Sequence, residues 1–288
     1  METRLSGISK EVVIAPHLPT VLIGERINPT GKGRLASALK EGNLEPVRRE
    51  AFAQVRAGAD VLDVNVGAAG VDEVALLPEA VRAVMVVVDV PLCLDSANPD
   101  ALRTALEVYR QLAPQGKPLI NSVSGEEESL SRVLPLVREY GAAVIGLTMD
   151  EGGIPKEPEK RVDIARRIVE RAEGMGIPNE DVVIDCLALT VGADHRAALI
   201  TLEAIREVRE ELGVNQTLGA SNVSFGLPDR EVINAAFLAM AIAEGVTCPI
   251  VDVARVRPFV LAVDLLLGRD KFAIRYLKAY RGRGELKS

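Results

Sequence analysis

The residues best equipped for chemistry stand at the ends of short apolar runs. Residues 218–230 read LGASNVSFGLPDR: an apolar approach meets small residues including Gly219 and Ser221, then Asn222, then a Gly-Leu-Pro-Asp break. Other apolar runs end alike, in Glu25, Arg26 and Asn28, in Asp63 and Asn65, in Asp95 and Ser96, in Asn121 and Ser122, in Thr148 and Asp150, in Asp185, and in Asp252. Carboxylates only accept hydrogen bonds, whereas amides accept and donate. Asp95, Asn121 and Asp185 together could embrace a flat heterocycle with N–H donors and a carbonyl, such as the 2-amino-4-oxo ring of a pterin. A sugar or polyol would fit as well. Burying such groups unpaired costs about 1–3 kcal/mol each. Part of the set must therefore pair internally, and Asp63, Asn65 and Asp252 are the expected structural members.

Other chemistries thin out on residue type. The three cysteines, Cys93, Cys186 and Cys248, are scattered in apolar runs with no CxxC pair, which reads as buried reduced thiols. The two histidines, His17 and His195, are far apart, so neither a zinc site nor a Ser-His-Asp triad is expected, and no bound metal is expected. No strand end carries the lysine of a Schiff-base aldolase; Lys32 falls in a loop. Asp95 and Asp185 could face each other as in a retaining glycosidase, but aromatic residues are only 3% of the chain. A net charge of −7 without a long basic run argues against nucleic acid as main partner. No apolar run approaches the roughly 18 residues of a spanning helix. The N-terminal METRLSGISKEVV lacks the apolar core of a signal peptide, which makes a cytoplasmic, membrane-free protein the expectation.

Something must hold these residues in a ring, and the chain's rhythm supplies it. Runs that read as buried strands cover 20–27, 61–66, 91–96, 118–123, 143–149, 182–189, 216–224 and 249–253. Helical spacing falls between and after them, over 34–57, 72–88, 99–112, 126–140, 159–175, 195–212, 229–244 and 258–267. Strands alternating with helices imply parallel pairing through right-handed crossovers. Eight such units match a closed (β/α)₈ TIM barrel of about 250 residues. An open doubly wound sheet is the alternative, but its GxGxxG phosphate turn is missing. The expected organisation is an N-terminal extension over 1–19, with one short strand at 11–15, and a barrel domain over 20–288 that includes an amphipathic C-terminal segment, 272–280. In such a barrel the C-terminal rim carries the chemistry.

Taken in order, IGERIN (23–28), DVNVG (63–67), CLDS (93–96), INS (120–122), IGLTM (145–149), VIDCL (183–187) and GASNVSFG (219–226) resemble the pterin-binding methyltransferases. That family includes the methyltetrahydrofolate:corrinoid/iron–sulfur protein methyltransferases and the folate domain of cobalamin-dependent methionine synthase. The resemblance runs from about residue 21 to 253. It implies a barrel that forms a homodimer, 5-methyltetrahydrofolate as substrate, and transfer of its methyl group to the Co(I) of a corrinoid on a partner protein. By the same resemblance Asp95, Asn121 and Asp185 bind the pterin, with Gly219, Ser221 and Arg230 beside it. Asn222 stands at N5, and Glu25, Asn28, Asp63, Asn65 and Asp252 support the site. Arg230 has a plainer alternative, a surface residue pairing with Asp229. The chain departs from full-length methionine synthase: it has no homocysteine-binding Cys cluster and no DxHxxG cobalamin motif, because VGADHRAA lacks the glycine. Two alternatives stay open. One is a dihydropteroate synthase, although PIVDVARVR offers Arg255 and Arg257 without that family's His. The other is a non-catalytic folate-binding subunit.

Overall fold

A computed structural model describes residues 1–285; the last residues of the expected domain, 286–288, lie outside the described residues. The described residues form ten strands: β1 (Thr3–Ser6), β2 (Glu11–Ile14), β3 (Ile23–Ile27), β4 (Val61–Asn65), β5 (Leu92–Asp95), β6 (Leu119–Ser124), β7 (Ala143–Leu147), β8 (Val182–Asp185), β9 (Asn215–Thr217) and β10 (Ile250–Val251). The helices are α1 (Gly33–Lys40), α2 (Glu45–Ala57), α3 (Glu73–Met85), α4 (Pro99–Leu112), α5 (Glu127–Tyr140), α6 (Pro158–Gly174), α7 (Ala197–Glu211), α8 (Arg230–Glu244), α9 (Val253–Leu266) and α10 (Ile274–Glu285). Strands β3 to β10 form one parallel sheet in the order β10-β3-β4-β5-β6-β7-β8-β9. Its ends meet through a parallel bridge between Gly219 and Ile250 and the Ile250 N–H donating to Leu218 O at 3.0 Å, which closes the (β/α)₈ barrel.

Two cores follow from the period-2 alternation of the strands. Leu62, Leu94, Ile120, Val144 and Ile184 point outward against the helices. Val61, Cys93, Leu119, Ala143, Ile145 and Val183 point inward and fill the barrel. Continuing that inward series toward the C-terminal ends of the strands gives Asp63, Asn65, Asp95, Asn121 and Asp185. The strands thus switch from apolar to polar as they leave the packed interior.

The floor is closed by the N-terminal segment. The expected strand at 11–15 forms as β2, but it pairs antiparallel with β1, which the polar TRLS gave no reason to expect. Leu5 and Ile14 are fully buried among the inward residues. Asn215 Nδ2 donates to Thr3 Oγ1 at 2.9 Å and to Ile14 O at 3.0 Å, tying the hairpin to β9.

Two helices begin on a side-chain cap. Asp72 accepts from Val74 N at the start of α3, and Asn98 from Asp100 N at the start of α4. The expected helix over 34–57 divides into α1 and α2 around Gly42, whose φ of +68° favours glycine. The last barrel helix starts at Val253 rather than at Pro258, with Asp252 as its N-cap residue and the proline inside it.

Candidate active site

On the β4–β6 side the register brings four polar side chains together. Asn65 lies opposite Asp95, and Asp95 opposite Asn121. Asn121 Nδ2 donates to Asp63 Oδ1 at 3.1 Å. Asp63 is buried one residue pair deeper than Asp95, which is half-buried at the mouth. Burial, and then the charge of Asp95, push the Asp63 carboxyl well above the usual carboxylate range. Burial raises Asp95 too, offset by hydrogen bonds from Asn65 and Asp63. Of the two acids, the deeper Asp63 is the one on which burial and its neighbour's charge favour the proton. Asn65 Oδ1 also accepts from Gly67 N at 2.8 Å. Glu73 was not singled out in the sequence; it accepts from Ser96 Oγ and stands behind Asp95.

Across the barrel, Asp185 lies opposite Leu147 on β7 and Thr217 on β9. Its Oδ1 accepts from Leu187 N at 2.7 Å. Burial pushes its carboxyl up to about 6, against the opposing effects of the Leu187 and Gly219 N–H groups and the Arg161 guanidinium. Arg161 escaped the sequence reading. It belongs to α6 and is 1% exposed, among Ile164, Ala165 and Ile168 on the helix's buried face. A charge on the apolar stripe of an amphipathic helix was the available signal.

The expected strand over 216–224 stops at Thr217, and Ala220–Ser224 turns instead into a short 3₁₀ helix. Thr217 Oγ1 donates to Cys248 O at 2.7 Å, and Phe225 N to Asn222 O at 3.1 Å. The turn lifts Asn222 onto the surface of the rim, where its side chain makes no hydrogen bond within the described protein. Gly219 connects the two regions: its N–H reaches Asp185, and a Cβ built on it would stand 3.5 Å from Asn222 Nδ2. Arg230 does not pair with Asp229. Its Nε donates to Ser224 Oγ at 3.0 Å and its Nη2 to Ser221 O at 2.8 Å, so it grips the turn that carries Asn222.

A cavity of about 290 Å³ opens between this turn and β3 and β10; Glu25, Arg26, Ser221, Arg230 and Asp252 help line it. Burial raises the Glu25 carboxyl, offset by Lys32. Asp252 lies 3.7 Å from Arg26 and 3.4 Å from Arg255. Asn28 Oδ1 accepts from Thr30 N at 2.9 Å and shapes a turn outside the ring. Lys32 Nζ donates to Arg26 O at 3.0 Å. Asp150 faces an outer hollow with Gly152, Gly153 and Arg167, away from the rim acids. Cys93, Cys186 and Cys248 are buried free thiols, and His17 and His195 lie on the surface. Among the described residues no group of three His, Cys, Asp or Glu could hold a metal ion.

A barrel whose mouth is ringed by buried acids and amides is a scaffold for a polar heterocycle. The chain matches the pterin binding enzyme family over residues 24–252 and belongs to it. It is 31% identical to the methylcorrinoid:tetrahydrofolate methyltransferase of Eubacterium limosum, over 91% of this chain and 96% of that protein. It is 32% identical to the methionine synthase of Mycobacterium tuberculosis, over 89% of this chain but only 22% of that much longer protein. Among solved structures, the dihydropteroate synthase of Yersinia pestis superposes with a TM-score of 0.69 at 17% identity, covering 92% of this chain and 99% of that one. A dihydropteroate synthase of Clostridium difficile, solved with pteroic acid, gives a TM-score of 0.69 at 20% identity, covering 86% and 97%. At these identities the two structures bear on the fold alone.

Proposed function

We propose that this chain is a methyltransferase that moves the N5 methyl group between 5-methyltetrahydrofolate and the cobalt of a corrinoid carried on a separate protein. The observation that carries the reading is Asn222: an unpartnered amide on the barrel rim, linked through Gly219 to the buried carboxylate of Asp185. The end-to-end likeness to a methylcorrinoid:tetrahydrofolate methyltransferase supports the same assignment. In this reading Asp95, Asn121 and Asp185 accept and donate hydrogen bonds around the pterin ring. Gly219 and Ser221 form the adjoining wall, and Arg230 holds that wall in place. Asp63 and Asn65 support Asp95 from below.

The chemistry explains why an amide suits the reacting end. A tertiary amine does not readily release a methyl group, so transfer to Co(I) needs positive charge on N5. A hydrogen bond that strengthens as the charge changes lowers the barrier; one equally strong in the ground state does not. Asn222 can present either its oxygen or its N–H₂ to N5 and its proton. It is no practical acid, so the proton arrives from solvent or from waters on the rim carboxylates. Cobalt is the nucleophile, and no protein nucleophile is required. The turn after Asn222, with Phe225 exposed beside Gly226 and Pro228, is the surface proposed to receive the corrinoid protein.

The reading extends to a cytoplasmic homodimer. Val232 and Met240 on α8 and Phe259 and Leu266 on α9 are exposed apolar side chains that a second copy would cover. Among the described residues no helix is long and apolar enough to cross a membrane. Single-turnover mixing with methyltetrahydrofolate and Co(I) cobalamin tests the activity. Methylcobalamin should form at a rate proportional to enzyme. Tight folate binding without transfer above background would reduce the chain to a binding subunit.

A further inference from the structure

The Arg161 guanidinium sits where neither the fold nor the rim requires a charge. Its Nε donates to Pro155 O at 2.8 Å, in the loop between β7 and α6. Its Nη1 donates to Cys186 O at 2.6 Å, Leu187 O at 2.8 Å and Thr201 Oγ1 at 3.1 Å, all in or beside the loop between β8 and α7. One side chain thus ties together the two loops that flank the exit of β8. Every acceptor it meets is neutral; no carboxylate touches it in these contacts.

The bond to Cys186 O has a further effect. Cys186 O and Leu187 N belong to the same peptide unit, which is trans. In a trans peptide the C=O and N–H point in opposite directions. Arg161 holds the oxygen end, while the N–H end donates to Asp185 Oδ1 at 2.7 Å. A positive charge on the carbonyl polarises the peptide and strengthens its N–H as a donor, and in a buried setting such chains reinforce one another. Leu187 adopts a φ of +58°, a conformation side-chain-bearing residues seldom take, and the grip of Arg161 on both flanking carbonyls holds it there.

We propose that Arg161 is a positioning residue that acts on Asp185 through the Cys186–Leu187 peptide, keeping that carboxylate ionised and aimed into the barrel mouth. The claim that this matters for folate rests on Asp185 being a pterin ligand. The other titratable groups around Asp185 are the thiols of Cys186 and Cys248, both buried and held neutral by burial, Cys248 at about 12. Arg161 is therefore the charge that bears on it, and a guanidinium stays protonated even when buried.

The test titrates Asp185 directly in ligand-free protein labelled with ¹³C at the aspartate carboxyls, its signal assigned by its loss in Asp185→Asn. The native midpoint should lie at about 6. Arg161→Gln keeps hydrogen-bond donors but removes the charge, and should raise the midpoint by about one unit. Arg161→Lys should fall between the two. A native midpoint in folded Arg161→Gln overturns the relay. If that variant does not fold, Arg161→Lys decides alone: a raised midpoint supports the relay and an unchanged one refutes it. Methyltetrahydrofolate affinity is then measured across the same pH range, where the ligand's own titration is common to all variants. Affinity in Arg161→Gln should be about fivefold weaker than native near pH 6 and equal to native at high pH. A uniform loss at every pH, with an unmoved carboxyl midpoint, is what a merely structural arginine would give and refutes the proposal. If the carboxyl midpoint moves but Asp185→Asn binds folate like the native protein, the relay stands and the ligand role of Asp185 fails.

Discussion

Replacing Asn222 by alanine removes a side chain that the folded protein does not use. Asn222 is exposed, its amide makes no hydrogen bond within the described protein, and the backbone of its turn is held by Arg230 through Ser221 and Ser224. Loss of the amide should therefore change stability by no more than about 0.5 kcal/mol. Folate affinity should also survive, because the proposed ring contacts come from Asp95, Asn121 and Asp185. The transfer step is different. Removing one donor aimed at a developing charge costs about 10²-fold in rate, or about 2.7 kcal/mol of transition-state stabilisation. Rapid mixing of the folate-loaded variant with Co(I) cobalamin, followed by the loss of Co(I) absorbance, isolates that step from binding and release. Urea unfolding and a folate titration on the same preparation complete the comparison. A single-turnover rate within about threefold of native, at saturating folate, would refute the role of Asn222 at N5. A loss found wholly in Kd would make it a binding residue instead.

Asp63 and Asp95 should respond unequally to the same substitution. Asp63→Asn replaces the carboxyl on which burial favours the proton, so folate Kd should change less than about threefold. Asp95→Asn removes the pair's exposed charge and should weaken binding on the order of tenfold; equal effects in calorimetric titrations would show the proton is assigned to the wrong partner. Asp264 is fully buried and accepts from Thr20 N and Oγ1 while pairing with Arg269 and Arg275. Asp264→Ala strands those groups and should lower unfolding free energy by about 3 kcal/mol, with activity per folded molecule unchanged; a loss below about 1 kcal/mol in urea titration would count against the network. Deleting residues 1–16 removes Leu5 and Ile14 and uncovers the barrel floor they close. The truncated chain should lose cooperative unfolding, and a native melting profile would show the hairpin to be dispensable.

The repeating strand–helix rhythm was legible because burial on both faces of a parallel sheet leaves long β-branched runs, and because α3 and α4 carry their caps in sequence. Helix α4 coincides with the expected 99–112. Boundaries failed where tertiary contacts override local preference. Strand β3 begins at Ile23 rather than at residue 20. Thr20 is bound instead to Asp264, and Leu22 N to Asp60. Likewise Pro258 looked like a helix start, since proline suits a first turn, but the helix already begins at Val253 and the proline rides inside α9. Strand β1 was missed because TRLS has no apolar pattern; it becomes a strand only when Leu5 finds the barrel interior.

The candidate site divides along the same line. Alternation along each strand tells which side chains face inward, so Asp95, Asn121 and Asp185 could be nominated together from sequence. It does not tell how deep each one lies, and depth decides chemistry here. Asp63 and Asp95 are the same residue type on adjacent strands and the same inner face. The register sets Asp63 beside Cys93 and Asp95 beside Asn65. Burial raises both carboxyls and favours the proton on the deeper one. Arg161 is further from reach still, because its effect on Asp185 passes through a peptide of a loop that only the packing of α6 against β8 brings to it. Residue types at strand ends thus identify what a rim can bind. The stagger between neighbouring strands, and the backbone between side chains, set the protonation state in which it binds.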